Sequence, residues 1–448
     1  MLKTALDTLA NGLKVLHIEL PHVHAVSCAL LVRGGPRYEV PRTNGLSHLV
    51  EHLLFRGTAN HPSSLEFHTA VEALGGEING QTQRDAVTIH LTVPPTHAAA
   101  GLDLLAEVCT TPLMTGLSVE RNVVIEEILD AYAADGSELD IDSISRRLLW
   151  DGHPMSMPVA GEVELVERFT RDQCRRWFEE LFVARNAVLV IAGPTDRAAM
   201  LDAAARAFAG MPRGFSMLEP PPPAPVTRPA IHVQPTDDAQ VTALLTFPSI
   251  PEAHPDFTAL LLLRRILDDG FSARLRQAIC EQRGLAYSMG VSLDAYRDVG
   301  ALDIEVTCAP KKLVRTVERI LITLRALIHA PVDPGELTRA KTRHMADLEF
   351  SLDNPSELSS WYGGAALLDL DVDYDLRRRE LEAVTPCDLL RLARQIFDTD
   401  NALLTLLGPV EDDQARRLEL LLGRPYESTF WFEDADSEDE PPPLELAG

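Results

Sequence analysis

The sequence predicts an α+β protein made of two related domains, and three observations carry that prediction. The chain has 448 residues, enough for more than one domain of ordinary size. A Pro-rich stretch from Gly210 to Pro229, with Pro220 to Pro223 in a row, cannot be helix or central strand and divides the chain near its middle. Both parts then end in nearly the same apolar strand running into Gly-Pro: NAVLVIAGP (Asn186 to Pro194) and NALLTLLGP (Asn401 to Pro409). The expected division is a first domain at 1–210, a linker at 211–229, a second domain at 230–432 and an acidic tail at 433–448.

The elements repeat in order. In the first part Ala25 to Val32 is an apolar strand, followed by helices over Gly45–Phe55 and Ser64–Leu74. Two strands follow the turn at Gly75-Gly76, ending in AVTIHLTVP (Ala86 to Pro94). Helical patterns close this part at Leu102–Cys109, Val119–Ala133 and Arg171–Leu181. In the second part Gln240–Phe247 is the strand, and Phe257–Leu267 and Ser272–Gln282 are the helices. Strands near Ala286–Leu293 and Ala301–Thr307 come next, then helices at Leu313–Ile328, Pro334–Leu348 and Pro386–Phe397. Each domain is expected to be a mostly antiparallel sheet covered by helices.

Composition narrows the function. Lys+Arg 41 against Asp+Glu 67 gives a net charge of −26, a poor match to the basic face that phosphate backbones need. The six cysteines are scattered without a Cys-x-x-Cys pair and read as reduced thiols. The N-terminal segment shows no charged stretch followed by an apolar one, so no signal peptide is expected, although a removed leader leaves the same picture. No apolar run approaches a membrane span, and a cytoplasmic or periplasmic protein is expected. The Arg runs at Arg146-Arg147 and Arg377 to Arg379 are expected on solvated helix faces. His22, His24, His61, His68 and His97 lack ligand spacing and are expected to be ordinary core or surface residues.

Chemistry concentrates in TNGLSHLVEHLLFRGT, Thr43 to Thr58. His48, Glu51 and His52 stand at i, i+3 and i+4 and share one helix face. Leu46, Leu49, Val50, Leu53 and Leu54 make the rest apolar, and Gly57 is placed to end the helix. Two imidazoles one turn apart can hold one zinc, and the order His-x-x-Glu-His is the inverted zincin arrangement. A third ligand is expected from SVERNVVIEEILD, Ser118 to Asp130. Glu120 and Glu127 lie seven apart on one face, with Glu126 turned away. Glu127 is therefore the expected ligand, and Glu120 the carboxylate that orients an imidazole.

With those motifs the chain resembles the M16 family of zinc metallopeptidases, the inverzincins of the pitrilysin and mitochondrial-processing-peptidase kind. The resemblance runs through GGEINGQTQRD (Gly75 to Asp85), HPMSMPVAGE (His153 to Glu162), AVLVIAG and EQRGLAYSMG (Glu281 to Gly290). Length and duplication resemble the M16B type, whose LuxS/M16-like domains form half of a clamshell that a second subunit completes. The resemblance implies Zn2+ on His48, His52 and Glu127, Glu51 as general base on zinc-bound water, and Glu120 in support. It also implies peptide pairing along Asn79-Gly80-Gln81-Thr82. One zinc per chain is expected, because aligning Gly57 with Gly270 puts Leu261, Arg264 and Arg265 at the places of His48, Glu51 and His52.

One position departs from the family pattern. Active members carry an Arg and a Tyr seven apart in a C-terminal domain; here Tyr287 is present, but Cys280 stands at the Arg position. A thiol cannot supply a charged fork. The favoured expectation is the zinc-bearing subunit of a heterodimer whose sister supplies Arg and Tyr. A homodimer in which Arg283 or Arg276 substitutes, a change without consequence, and a non-catalytic or assembly subunit are the alternatives. The acidity fits a chamber wall that favours basic or neutral peptides.

Overall fold

The computed structural model describes residues 2–224, 230–370 and 373–423; the expected acidic tail and the end of the Pro-rich linker lie outside the described residues. Two sheets organise the chain. The first contains β1 (Lys3–Thr8), β2 (Lys14–Glu19), β3 (Val26–Arg33), β4 (Glu77–Thr82), β5 (Ala86–Val93) and β6 (Ala187–Gly193), in the order β1-β2-β6-β3-β5-β4. The second contains β7 (Ala230–Gln234), β8 (Val241–Ser249), β9 (Ala286–Ala295), β10 (Gly300–Cys308) and β11 (Leu403–Leu407), in the order β7-β11-β8-β10-β9. Without β1 the two orders are the same. Each sheet is antiparallel except for one pair, β2 with β6 and β7 with β11, so the duplication extends to strand direction.

Helices cover both faces. In the first half they include α1 (Leu46–Leu54), α2 (Ser64–Ala73), α3 (Ala98–Thr110), α4 (Leu117–Leu129) and α5 (Ile141–Leu149). Strand β3 shows why its run of apolar residues is unbroken. Val26, Cys28, Leu30 and Val32 face the main core of the first half, while Ala29 and Leu31 face a second core on the opposite side. A strand buried on both faces has no polar alternation to display.

The covering of the outer faces is reciprocal. Helix Pro355–Leu367, from the second half, packs on β3 and β6 of the first sheet through Leu358, Tyr362 and Leu367. A Cβ at its Gly363 would come within 2.6 Å of Leu31, so the small residue sets that close approach. Helix α5, from the first half, packs on β8 and β11 of the second sheet. Arg146 on α5 is 1 % exposed. Its guanidinium meets Asp303 and bonds Asp294 at 2.9 Å, which corrects the expectation of a solvated Arg-Arg face: charge alone hid a residue paired with the other half.

Two further expectations shift. Helix α1 stops at Leu54, and Gly57 (φ +118°) belongs to the loop beyond. The expected helix Ser272–Gln282 is one turn, Arg274–Arg276, followed by a π turn at Gln277–Glu281, before Gly284 (φ +54°) turns the chain into β9. Among the described residues no helix is long and apolar enough to cross a membrane.

Candidate metal centre

The apolar side of α1 fixes its other face. Leu49, Val50, Leu53 and Leu54 are fully buried in the first core, which leaves His48 and His52 half-buried toward β4 and α4. Helix α4 brings Glu120 and Glu127 to the same place. His48 Nε2 and His52 Nε2 are 3.3 Å apart, and Glu127 Oε2 lies 3.6 Å from the first and 3.5 Å from the second. Ligands about 2 Å from a tetrahedral zinc are separated by about 3.3 Å. The triangle therefore fits zinc in its size and in its two nitrogens and one oxygen. Among the described residues it is the one group of three or more such side chains this close.

The surroundings act differently on the two imidazoles. Burial, then the neighbouring His52, lowers the pKa of His48 to about 4 and keeps its ring neutral; its Nδ1 is buried and has no hydrogen-bond partner among the described residues. His52 Nδ1 lies 2.9 Å from Glu120 Oε2, which directs a proton to Nδ1 and leaves Nε2 bare. Burial raises the Glu120 carboxyl, but hydrogen bonds from His52 and from Arg56 outweigh it and leave the pKa below the usual range. For His52 burial lowers the pKa, and the Glu120 hydrogen bond with the charges of Glu51, Glu127 and Glu120 raises it overall.

Glu51, 7 % exposed, sits beside the triangle against β4. Burial raises its pKa, opposed by His52 and by the Thr82 hydroxyl, which donates to Glu51 Oε2 at 3.2 Å. Gly80 makes the position possible: a Cβ there would stand 2.2 Å from Glu51 Oε1. Strand β4 is the last in its sheet, so among the described residues its outer edge is unpaired. Together these residues line a groove of about 620 Å³.

The groove collects His48, Glu51, His52, Glu120, Glu127 and the stretch Asn79 to Thr82. Tyr287 is not among its lining residues; it lies on β9 at the edge of the second sheet, 72 % exposed. His68, which the sequence offers only as an ordinary histidine, lines the wall from α2 with its ring 6.2 Å from that of Phe55. Glu39 escaped the sequence reading altogether. It is buried at the start of α1, and no spacing rule connects it to His48. A second hollow, also of about 620 Å³, shares Thr82 and Glu127 with the groove and reaches β9, with Asp85, Asp140, Asp142 and Asp294 in its wall.

Comparison with known proteins places the chain in a family. Residues 14–156 match the family described as Insulinase (Peptidase family M16), and residues 168–343 match the Peptidase M16 inactive domain. An uncharacterized zinc protease of Streptomyces coelicolor is 27 % identical over 427 residues, 92 % of this chain and 91 % of that protein. The uncharacterized zinc protease YmxG of Bacillus subtilis is 27 % identical over 410 residues, 90 % of this chain and 97 % of its own. Among solved structures, a peptidase M16 inactive domain from Pseudomonas fluorescens superposes with a TM-score of 0.84 at 19 % identity, covering 91 % of this chain and 99 % of its own. A protease from Helicobacter pylori gives 0.83 at 20 %, covering 91 % and 100 %. At those identities the structural likeness is one of fold. With both of its sheets built alike and two successive stretches matched to one family, this chain belongs to peptidase family M16.

Proposed function

We propose that this chain is a zinc-dependent metalloendopeptidase that hydrolyses peptides or unfolded segments, with one zinc held by His48, His52 and Glu127. The observation that carries the reading is the triangle of ligand atoms, 3.3 to 3.6 Å on a side, with a buried carboxylate beside it. Zinc bound there acts as a Lewis acid toward water and the scissile carbonyl. Glu51 takes a proton from the attacking water and passes it to the leaving amine; its raised pKa suits both transfers. Glu120 holds His52 in the ligand tautomer. An extended substrate adds to the free edge of β4 over Asn79 to Thr82, where main-chain pairing asks little of its sequence. The acid-walled hollow beyond Thr82 favours basic or neutral peptides.

The reading includes a partner. Cys280 lacks a guanidinium, and Tyr287 stands away from this chain's own groove, which supports a sister subunit of the same fold that carries Arg and Tyr. The test is metal analysis together with cleavage of a fluorogenic peptide, by the chain alone and mixed with such a sister. Glu51→Gln is expected to keep the zinc and lower turnover by at least about 100-fold. Absence of zinc, or absence of turnover in both settings, overturns the proposal.

A further inference from the structure

Helix α1 has nine residues, and its first turn already carries His48. Its N-cap, Gly45, has φ +92° and no side chain with which to cap. Nor is there room for another residue, because a Cβ at Gly45 would stand 2.7 Å from the Ala160 carbonyl oxygen and 2.9 Å from Gly161 Cα. The orphan amides of the first turn need an acceptor from elsewhere. Glu39, six residues upstream and 2 % exposed, provides it. Its Oε2 accepts from Gly45 N at 2.9 Å and from Asn44 Nδ2 at 3.1 Å, and its Oε1 accepts from Ser47 N at 2.8 Å. The Ser47 hydroxyl also donates to it, while Ser47 Oγ accepts from Gly35 N and Trp177 Nε1, each at 3.0 Å. Burial raises the pKa of Glu39, and the hydrogen bonds from Ser47, Gly45 and Asn44 oppose it; these neighbours are all donors, which the ionised form accepts from best, at the positive end of the helix.

Glu39 is itself anchored. Arg37, two residues before it, donates to Glu219 in the interdomain linker at 2.9 Å and to Asp298 of the second half at 2.7 Å. Tyr38 donates to Glu219 at 2.9 Å. The carboxylate therefore holds α1 at a fixed height and rotation against a segment that cannot slide. We infer that Glu39 is a positioning residue for the metal centre, setting the start of α1 so that His48 and His52 meet Glu127 in a zinc-sized triangle. The inference rests on the metallopeptidase reading above, because it concerns the geometry of that same site.

The test compares wild type with Glu39→Gln, which keeps the shape but turns an amide donor toward the amides of α1. Folding is followed by circular dichroism, zinc affinity by competition with a chromogenic chelator, and ligand geometry by the visible spectrum of the Co2+-substituted protein. The expected result is a folded variant with zinc affinity weakened about 10-fold, as for a lost outer partner of a metal site. Its cobalt band is shifted, and kcat falls while KM for a fluorogenic peptide holds. A variant that melts earlier but keeps wild-type zinc affinity and cobalt band overturns the inference, since Glu39 would then stabilise the fold alone. If Glu39→Gln does not fold, Asn44→Ala removes one donor from the carboxylate and is read by the same two quantities. A wild-type chain that binds no zinc defeats the metallopeptidase reading instead, whatever the variants do.

Discussion

At the scale of single residues, Glu51 is placed by what is missing opposite it. Glu51 occupies the space a side chain on Gly80 would need, and Thr82, two residues along the same face of β4, bonds it. Strand alternation makes this pair necessary, because residues i and i+2 share a face and both point at α1. Gly80→Ala is therefore expected to push the Glu51 carboxylate aside by about an ångström. Misplacement of that size costs roughly 100-fold in turnover. Zinc content should hold, since the three atoms nearest an added Cβ all belong to Glu51. Metal analysis alongside peptide cleavage checks this, and a variant with normal turnover would show that Glu51 needs no such precision. His48, Glu51 and His52 were legible from spacing alone because a helix face is a local property. Gly80 reads only as part of a hairpin strand, and Glu39 as one acid among 67, because their roles depend on contacts that the fold creates.

At the scale of elements, the second half carries a charged cluster on the helix that corresponds to α1. Helix Phe257–Leu267 stands where α1 stands in the first half, and its Arg265 donates Nε–H to His344 Nδ1 at 2.9 Å on helix Pro334–Ser351. Arg265 also bonds Asp347 and Asp269, at 2.5 and 2.7 Å. Arg264 and Arg265 stand at the sequence places of Glu51 and His52; of the ion-pair partners of Arg265, Asp269 lies four residues on, while Asp347 comes from a helix too distant along the chain to be read. His344 must stay neutral to accept from Arg265. Burial first, then Arg265, lowers its pKa to about 4, with Arg264 and Arg377 adding to the effect and Asp347 opposing it. The unfolded ring titrates near 6.5, so between those values the unfolded chain binds more protons than the folded one. The contribution of His344 is complete above about pH 6.5 and is lost as the pH falls toward 4. Urea unfolding of metal-free protein at pH 7.5 and 4.5 should show wild type losing about 2 kcal/mol more than His344→Gln, which keeps an acceptor but cannot take the proton. Equal losses would show that the ring is already free to charge.

At the scale of the whole molecule, neither half closes its own sheet. The first sheet leaves Leu16, Ile18, Leu31 and Val190 on a face covered by helix Pro355–Leu367, and the second is covered in turn by α5. The repeats in sequence suggest two self-sufficient units, since the signals that mark them (strand runs and Gly-Pro ends) carry no information about which helix crosses over. Arg146 is where the exchange is most sensitive. Its guanidinium lies among Asp142, Asp294 and Asp303, and the side chain of Asp303 is 3 % exposed. Arg146→Ala would leave Asp303 buried with Thr246 as its remaining hydrogen-bond donor and with Asp294 close by. Removing one partner of a buried pair costs about 3–5 kcal/mol. If each half depends on a helix from the other, that loss cannot stay in the second half. Calorimetry is expected to show one transition for wild type and one for Arg146→Ala, moved down as a whole, with far-UV circular dichroism and tryptophan fluorescence changing together. An early shoulder for the variant, with the rest of the profile unmoved, would mean that the first half stands without α5 docked and that the two sheets fold as independent domains.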